Sequence, residues 1–395
     1  VQRFNGKWLM ISANIVFLAT SIASGLSRSI YLLIISRIVQ GFSAGFIMTL
    51  VTTLAIEVAG REAMGRVMST VGIPMILGPI LGPVIGAVIV QFLSWRYVFF
   101  VNIPIGIIAI TLMILKLPDF TPANIKAKFD FIGITLLGAS SASLIYGITQ
   151  GAKNATFNNS MTISYVFAGI AILAIYIIYA AIKREQAILP LHLFRLKNFT
   201  AVIVGLFLAG VATNGPMLLL PLFFQNIKGF SVLGTGLILI PQGIGMLVVR
   251  PLIGKLTDKL GARDVVLVSL TLAIAGTIPF VLFNERSSLI VVGVVLFIRG
   301  IGIGGVTMPM MTDAYTGMVR QEIPQASIGT RLVQNIGGAF GSAVLATVVS
   351  LGVQGKTPTI PLLTTAYHDG FMLALILSLV MLIPSLFLTN KKAKN

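Results

Sequence analysis

Two arginines stand inside long apolar runs of this 395-residue chain: Arg37, within Arg37-Ile-Val-Gln40-Gly41, and Arg299, which is followed by Gly300, Gly302, Gly304 and Gly305. Lipid solvates a guanidinium poorly, so a cation placed there faces a cavity or a hydrogen-bonding partner. Arg37 sits about seven residues into its run, or ~10 Å deep at 1.5 Å per residue. The amides of Asn14, Gln40, Asn102, Asn214, Gln225, Gln334 and Asn335 also fall inside or near the ends of apolar runs. Some of them are expected to line a cavity, and others to join neighbouring helices. Catalytic chemistry is poorly served by comparison. The eleven acids lie in connecting segments or at run edges, the only two histidines are His192 and His368, and there is no cysteine. A membrane-embedded enzyme, such as a lipid-modifying transferase, would need acids or histidines clustered at one face.

Helices that hold such residues must do so in lipid. The chain is 56% hydrophobic and only 10% charged, with a mean hydropathy of +0.99, whereas soluble domains carry ~25% charged residues. A spanning helix needs ~20 mostly apolar residues. Twelve stretches qualify, at roughly 8–24, 30–56, 67–93, 97–115, 131–150, 162–182, 199–224, 232–249, 265–283, 288–312, 328–353 and 370–389. Connecting segments on one side hold twenty of the 28 Lys and Arg residues. Those on the other side hold six: Arg28, Arg96, Lys153, Lys228, Arg286 and Lys356. Arg37 and Arg299 complete the count. This asymmetry predicts that both ends of the chain face the cytosol. It also explains the net charge of +17 without a nucleic-acid partner.

The chain repeats itself. Arg37 corresponds to Arg299, Glu62 to Glu322, Gly78 and Gly82 to Gly337 and Gly341, and Asn5-Gly6-Lys7 to Gly261-Ala262-Arg263. The order is kept and only loop lengths drift, as in transporters built from parallel repeats. Two spans precede the basic turn in the second half, and none do in the first. Two further N-terminal spans are therefore expected, for fourteen in all. The expected organisation is 1–116 as part of an N-terminal half, 117–198 as a two-helix insert with linkers, and 199–395 as a six-helix C-terminal half.

Five motifs in order carry a resemblance. Gly254-x-x-x-Asp258-Lys-x-Gly261-x-Arg263 is similar to the loop motif of the major facilitator superfamily, with a degenerate remnant from Arg3 to Lys7. Arg37-x-x-Gln40-Gly41 is similar to its fourth-helix motif. Gly78-Pro79-x-x-Gly82-Pro83-x-x-Gly86 is similar to the antiporter motif of its fifth helix, with Ser69 and Ala87 where that pattern has glycines. The run from Trp95 through Asn102 and Pro104 to Gly106 and the segment Phe129-Asp130-Phe-Ile-Gly133 resemble the fourteen-helix drug:proton antiporter branch, the EmrB/QacA type.

The resemblance implies an all-α integral membrane protein of major facilitator fold that exports hydrophobic or cationic drugs in exchange for protons. It implies no cofactor, with the proton gradient as energy source. On that reading Arg37 and Gln40 serve the proton relay or substrate cavity. The glycine–proline stripe, whose small residues admit close backbone approach, bends and seals a gate. The Gly254–Arg263 turn is a charged latch favouring one facing state. Arg299 is a further cavity candidate, as are the amides named above. Proton coupling needs a carboxylate or histidine whose pKa a nearby cation can move. No visible span holds one at its centre, so it is expected in the two additional N-terminal helices. The same fold could instead serve one metabolite, peptide or lipid.

Three apparent motifs fail. Gly355-Lys356-Thr357 lacks the P-loop glycine, which is Ser350 here. Gly300 to Gly305 has no strand before it, so it is not a dinucleotide fingerprint. The sequons at Asn154 and Asn158 have no meaning in a bacterial host.

Overall fold

A computed structural model describes residues 5–48, 50–51, 54, 78, 82, 85–86, 88–120, 130–153, 156–184, 187–318, 322–357 and 359–390. Every regular element among them is helical, and eleven helices are long and apolar enough to cross a membrane. Most of the expected span at 67–93 lies outside the described residues. Outward faces are strongly apolar: Ile178, Ile182 and Ile290 are 63%, 77% and 80% exposed. Such surfaces require lipid as their solvent.

The chain divides into two compact units, Val1–Phe129 and Asp130–Asn395. The first holds α1 (Gly6–Gly25), α2 (Ile30–Met48) and α3 (Tyr97–Lys116). Asn5 caps α1 by accepting the Lys7 amide at 3.0 Å, and its own amide donates to Asp119 at 3.1 Å. The chain beyond α3 is thereby tied to the start of α1. At the far end the Arg96 guanidinium donates to the Ser27 carbonyl at 3.2 Å. Between these ties Gly25 faces Phe100 and Gly106 faces Leu18, where a Cβ would collide.

The second unit begins with the hairpin of α4 (Phe131–Lys153) and α5 (Ser160–Lys183). Gly147 and Gly169 let these backbones approach, with Ser140 donating to the Gly169 carbonyl at 2.9 Å. It continues with α6 (Lys197–Asn226), α7 (Val232–Leu260), α8 (Ala262–Ala275), α9 (Leu289–Gly304), α10 (Thr307–Ala314), α11 (Ile323–Val353) and α12 (Ile360–Val380). Proline explains where apolar runs and helices part company. The run expected at 288–312 is broken between α9 and α10, because Pro309 cannot bond the Gly305 carbonyl four residues back. Pro279 likewise ends α8 short of the run expected to 283. Conversely, α12 starts ten residues before the apolar stretch at 370, at Ile360 with Pro361 in its first turn.

A clasp holds the hairpin to the rest of this unit. Asp130 accepts the Gly133 amide at 3.0 Å, the Ile188 amide at 2.9 Å and the Tyr179 hydroxyl. Tyr176 both donates to and accepts from the Leu189 backbone, at 3.0 and 2.9 Å. His192 meets Glu322 at 2.7 Å, which ties the linker to the start of α11. Burial opposes ionisation of Asp130. The Tyr179 hydroxyl, the two amides and the charge of Lys183 outweigh it and hold the carboxyl below the usual aspartate range. The folded value is depressed, so the carboxylate adds stability that is fully present above ~3.9, the ordinary aspartate pKa, and is lost as pH falls through the lower folded value. Asp130→Ala is expected to cost about 1–3 kcal/mol at neutral pH, the scale for hydrogen bonds to a charged acceptor. Thermal unfolding at pH 7 and at about pH 2 checks it, and the gap from wild type narrows only at the acid end, below the ordinary aspartate pKa.

Candidate functional site

Tight helix contact creates an open recess in the second unit. Gly337 of α11 lies against α6 at Phe207, whose Cα would be 3.0 Å from a Cβ there, and Gly341 lies against Val211, with its Cα at 2.6 Å. Gly210 of α6 returns the contact against the Gln334 carbonyl. Backbones this close leave no room for side chains between them, so the polar groups beside the seam are displaced to its rim. There they line an open groove of about 370 Å³ formed by Asn214, Met217, Leu218, Asn335, Gly338, Ala339 and Ser342. This volume is within the ~300–1,000 Å³ of small-molecule sites. Ser342 donates to the Asn214 carbonyl at 3.2 Å, which fixes one wall. No lining side chain carries a charge, so the groove offers amides, a hydroxyl and a thioether to an amphiphilic guest.

Each unit also contains an arginine node. In the first, Arg37 of α2 donates to the Gln40 side-chain oxygen at 2.6 Å, and Gln40 donates to the Ser21 hydroxyl of α1. Asn102 of α3 donates to that same hydroxyl at 3.2 Å, so three helices meet at Ser21. The Arg37 guanidinium lies 5.6 Å from the Phe99 ring centroid. In the second unit Arg299 of α9 donates from Nε to Thr277 at 3.2 Å and from Nη1 to Gln242 at 2.9 Å. The repeat pairs Ser21 with Thr277 at an offset of 256 residues (277 less 21), the offset that pairs Asn5 with Gly261. Exposure separates the nodes. Arg37 is exposed, whereas Arg299 is 1% exposed.

The remaining candidates are dispersed. Asn14 donates back to the Met10 carbonyl of its own helix at 2.9 Å, with Met113 of α3 at 4.0 Å. Gln334 contributes its carbonyl to the seam and is not part of the groove lining. Gly78, Gly82 and Gly86 are helical, and among the described residues nothing approaches within 4 Å of where their Cβ atoms would be. Pro79 and Pro83, with Glu62, Ser69, Ala87 and Phe129, lie outside the described residues. Asp258 is exposed in the last turn of α7, which runs to Leu260, and does not lie in the connecting turn itself. Gly261 makes the turn at φ +89°, a backbone conformation that suits glycine, with Asn390 packed on it. Arg263 donates its amide to the Thr389 carbonyl at 3.4 Å.

Several partners escaped the sequence reading. Ser21, Gln242 and Thr277 complete the arginine nodes, and the shared 256-residue offset of the two hydroxyls was the signal for that pair. Gln242 carried none, since its role depends on α7 crossing α9. Asp313, Thr389, Asn390 and Asp264 form a second cluster beside Gly261. The Asp313 carboxylate accepts the Thr389 amide at 3.1 Å and also its hydroxyl, and Asn390 donates to Asp264 at 3.2 Å.

Residues 1–342 match the family described as the Major Facilitator Superfamily. The multidrug resistance protein B homolog of Mycobacterium tuberculosis is 29% identical over 351 residues, covering 88% of this chain and 65% of that protein. The lincomycin resistance protein LmrB of Listeria innocua is 26% identical over 313 residues, covering 77% and 66%. This chain thus spans about two thirds of the length of those relatives. The nucleoside transporter NupG shares the fold at a TM-score of 0.61 and 14% identity, over 97% of this chain and 83% of that one. Helices in every regular element among the described residues, spans of membrane length, an arginine node in each unit and a family match from residue 1 to residue 342 converge: the chain belongs to the major facilitator superfamily of multi-pass membrane transporters.

Proposed function

We propose that this chain is the membrane body of a secondary exporter of the drug:proton antiporter branch, moving hydrophobic or cationic compounds outward in exchange for protons by alternating access. The observation that carries the reading is the groove between α6 and α11, a recess of ligand size built into membrane-spanning helices and lined by two amides and a hydroxyl beside apolar side chains. The names of relatives, among them multidrug and lincomycin resistance proteins, support drugs as the cargo class. Both chain ends face the cytosol, on the evidence of charge asymmetry between the loops. The architecture proposed is two six-helix halves with α4 and α5 as the insert.

Guest and proton act through different groups. The groove holds a guest by apolar contact with Met217 and Leu218 and by the amides of Asn214 and Asn335. Arg37, exposed and held by Gln40, lowers the pKa of any carboxylate brought against it and so biases that group toward proton release. A guest and a proton that each favour a different facing state drive each other in opposite directions.

Ethidium efflux from cells expressing the full-length protein, with and without a protonophore, tests the coupling. Collapse of efflux when the gradient is dissipated supports antiport. No efflux from a well-expressed protein redirects the search to a dedicated metabolite, peptide or lipid. Asn335→Leu removes an amide from the groove rim while keeping its bulk. The half-saturating concentration of a hydrogen-bonding substrate should rise about tenfold, equivalent to ~1.4 kcal/mol. Protein abundance should be unchanged, because Asn335 is exposed.

A further inference from the structure

Arg299 is the eleventh residue of α9, ~15 Å along that helix at 1.5 Å per residue, and only 1% of it is exposed. Its acceptors, Thr277 and Gln242, are neutral. Among the described residues the ion pairs are His192 with Glu322 and Arg286 with Glu285, so no carboxylate meets this cation. The backbone that carries it is closely packed. Gly276, just beyond the end of α8, presses on the α9 backbone, with the Arg299 Cα 2.6 Å from where a Cβ would stand, and Gly300 packs against Gln242 of α7, whose Cα would be 3.0 Å away. A guanidinium has five N–H donors and two are used here, which leaves three. Arg299 also borders a narrow crevice of about 10 Å³ whose other polar lining residues are Thr213, Thr277 and Ser378. That is room for one water-sized occupant.

A fixed, buried positive charge with only neutral partners is best compensated where it stands, by an occupant of opposite charge small enough for the crevice. We propose that the crevice between α6, α8, α9 and α12 is a binding site for a monovalent anion of halide size, held by the free N–H groups of Arg299. The hydroxyls of Thr277 and Ser378 now donate to the Ala273 and Ala374 carbonyls, and by rotating they add donors to the anion. An exported drug is far too large for this space, so the site is separate from the groove. The anion is a resident counter-charge that stabilises the packing of these four helices.

The test is thermal unfolding of the purified full-length protein in detergent, with chloride replacing gluconate at constant ionic strength. The midpoint should rise saturably by about 2–4 °C, and Arg299→Gln should abolish that rise. A wild-type midpoint indifferent to chloride overturns the proposal and leaves water as the occupant. An equal rise in Arg299→Gln also overturns it, because the anion then binds elsewhere. Should Arg299→Gln not survive purification, bromide anomalous scattering from wild-type crystals decides. A peak in the crevice supports the site, and its absence removes it.

Discussion

Gly337→Ala is expected to destabilise the protein by about 1–3 kcal/mol, and Gly337→Leu to prevent accumulation of folded protein altogether. The reason is the α6–α11 seam. A Cβ at 337 runs into the Phe207 carbonyl, and its neighbours on that wall are backbone atoms that cannot rotate away. Gly341, one turn further along, is bounded in the same way by the backbone of Val211. Separating these helices also opens the groove, because Gly338 and Ala339 line it beside Asn214. Transport should therefore fall together with stability. Gly254→Ala is the control: no described atom lies within 4 Å of that position, and alanine favours a helix interior over glycine by up to ~1 kcal/mol. That variant should be neutral or slightly stabilised. Unfolding midpoints of the purified variants, set beside efflux rates in cells, separate the two cases. A Gly254→Ala protein that is stable yet slow would place the Gly254–Arg263 segment in the transport cycle and not merely in the fold.

Arg37→Gln should leave the protein folded and lower gradient-driven efflux about 100-fold, equivalent to ~2.7 kcal/mol. Stability is spared because Arg37 is exposed, and Gln40 keeps its bond to Ser21 without it. Function is lost because glutamine supplies no charge with which to shift the pKa of a coupling carboxylate. Arg37→Lys retains the charge but loses the planar donor fork, so an intermediate loss of about tenfold is expected. The informative measurement is efflux with and without an imposed proton gradient. A coupling role predicts that Arg37→Gln erases the difference between those conditions. A role in holding the helix predicts equal loss in both, with reduced abundance.

The same residue type in repeat-related positions thus has opposite surroundings. Arg37 is exposed, whereas Arg299 is buried where Gly276 and Gly300 bring backbones into contact around it. Substitutions at these two positions should accordingly separate transport from stability.

All-helical architecture, membrane residence and family were legible in the residues themselves. Hydropathy and charge are summed locally, and lipid penalises every unsatisfied backbone group, so an apolar run of sufficient length has one outcome. The repeat, too, was visible in order and spacing alone. Helix ends were less so. Hydropathy marks where lipid is tolerated, while Pro309, Pro279 and Pro361 mark where backbone hydrogen bonds stop or start, and the two do not coincide. Least legible was which polar side chains meet. A 3.6-residue period places Arg37 beside Gln40 on one helix, as found at 2.6 Å. It says nothing of a partner on another helix, such as Gln242 for Arg299. Asn14 and Asn214 looked alike in sequence, each an amide in an apolar run. One turns back on its own helix and the other borders the groove. That distinction belongs to the glycine seams, because the places where backbones touch decide which side chains are pushed to a rim and brought together.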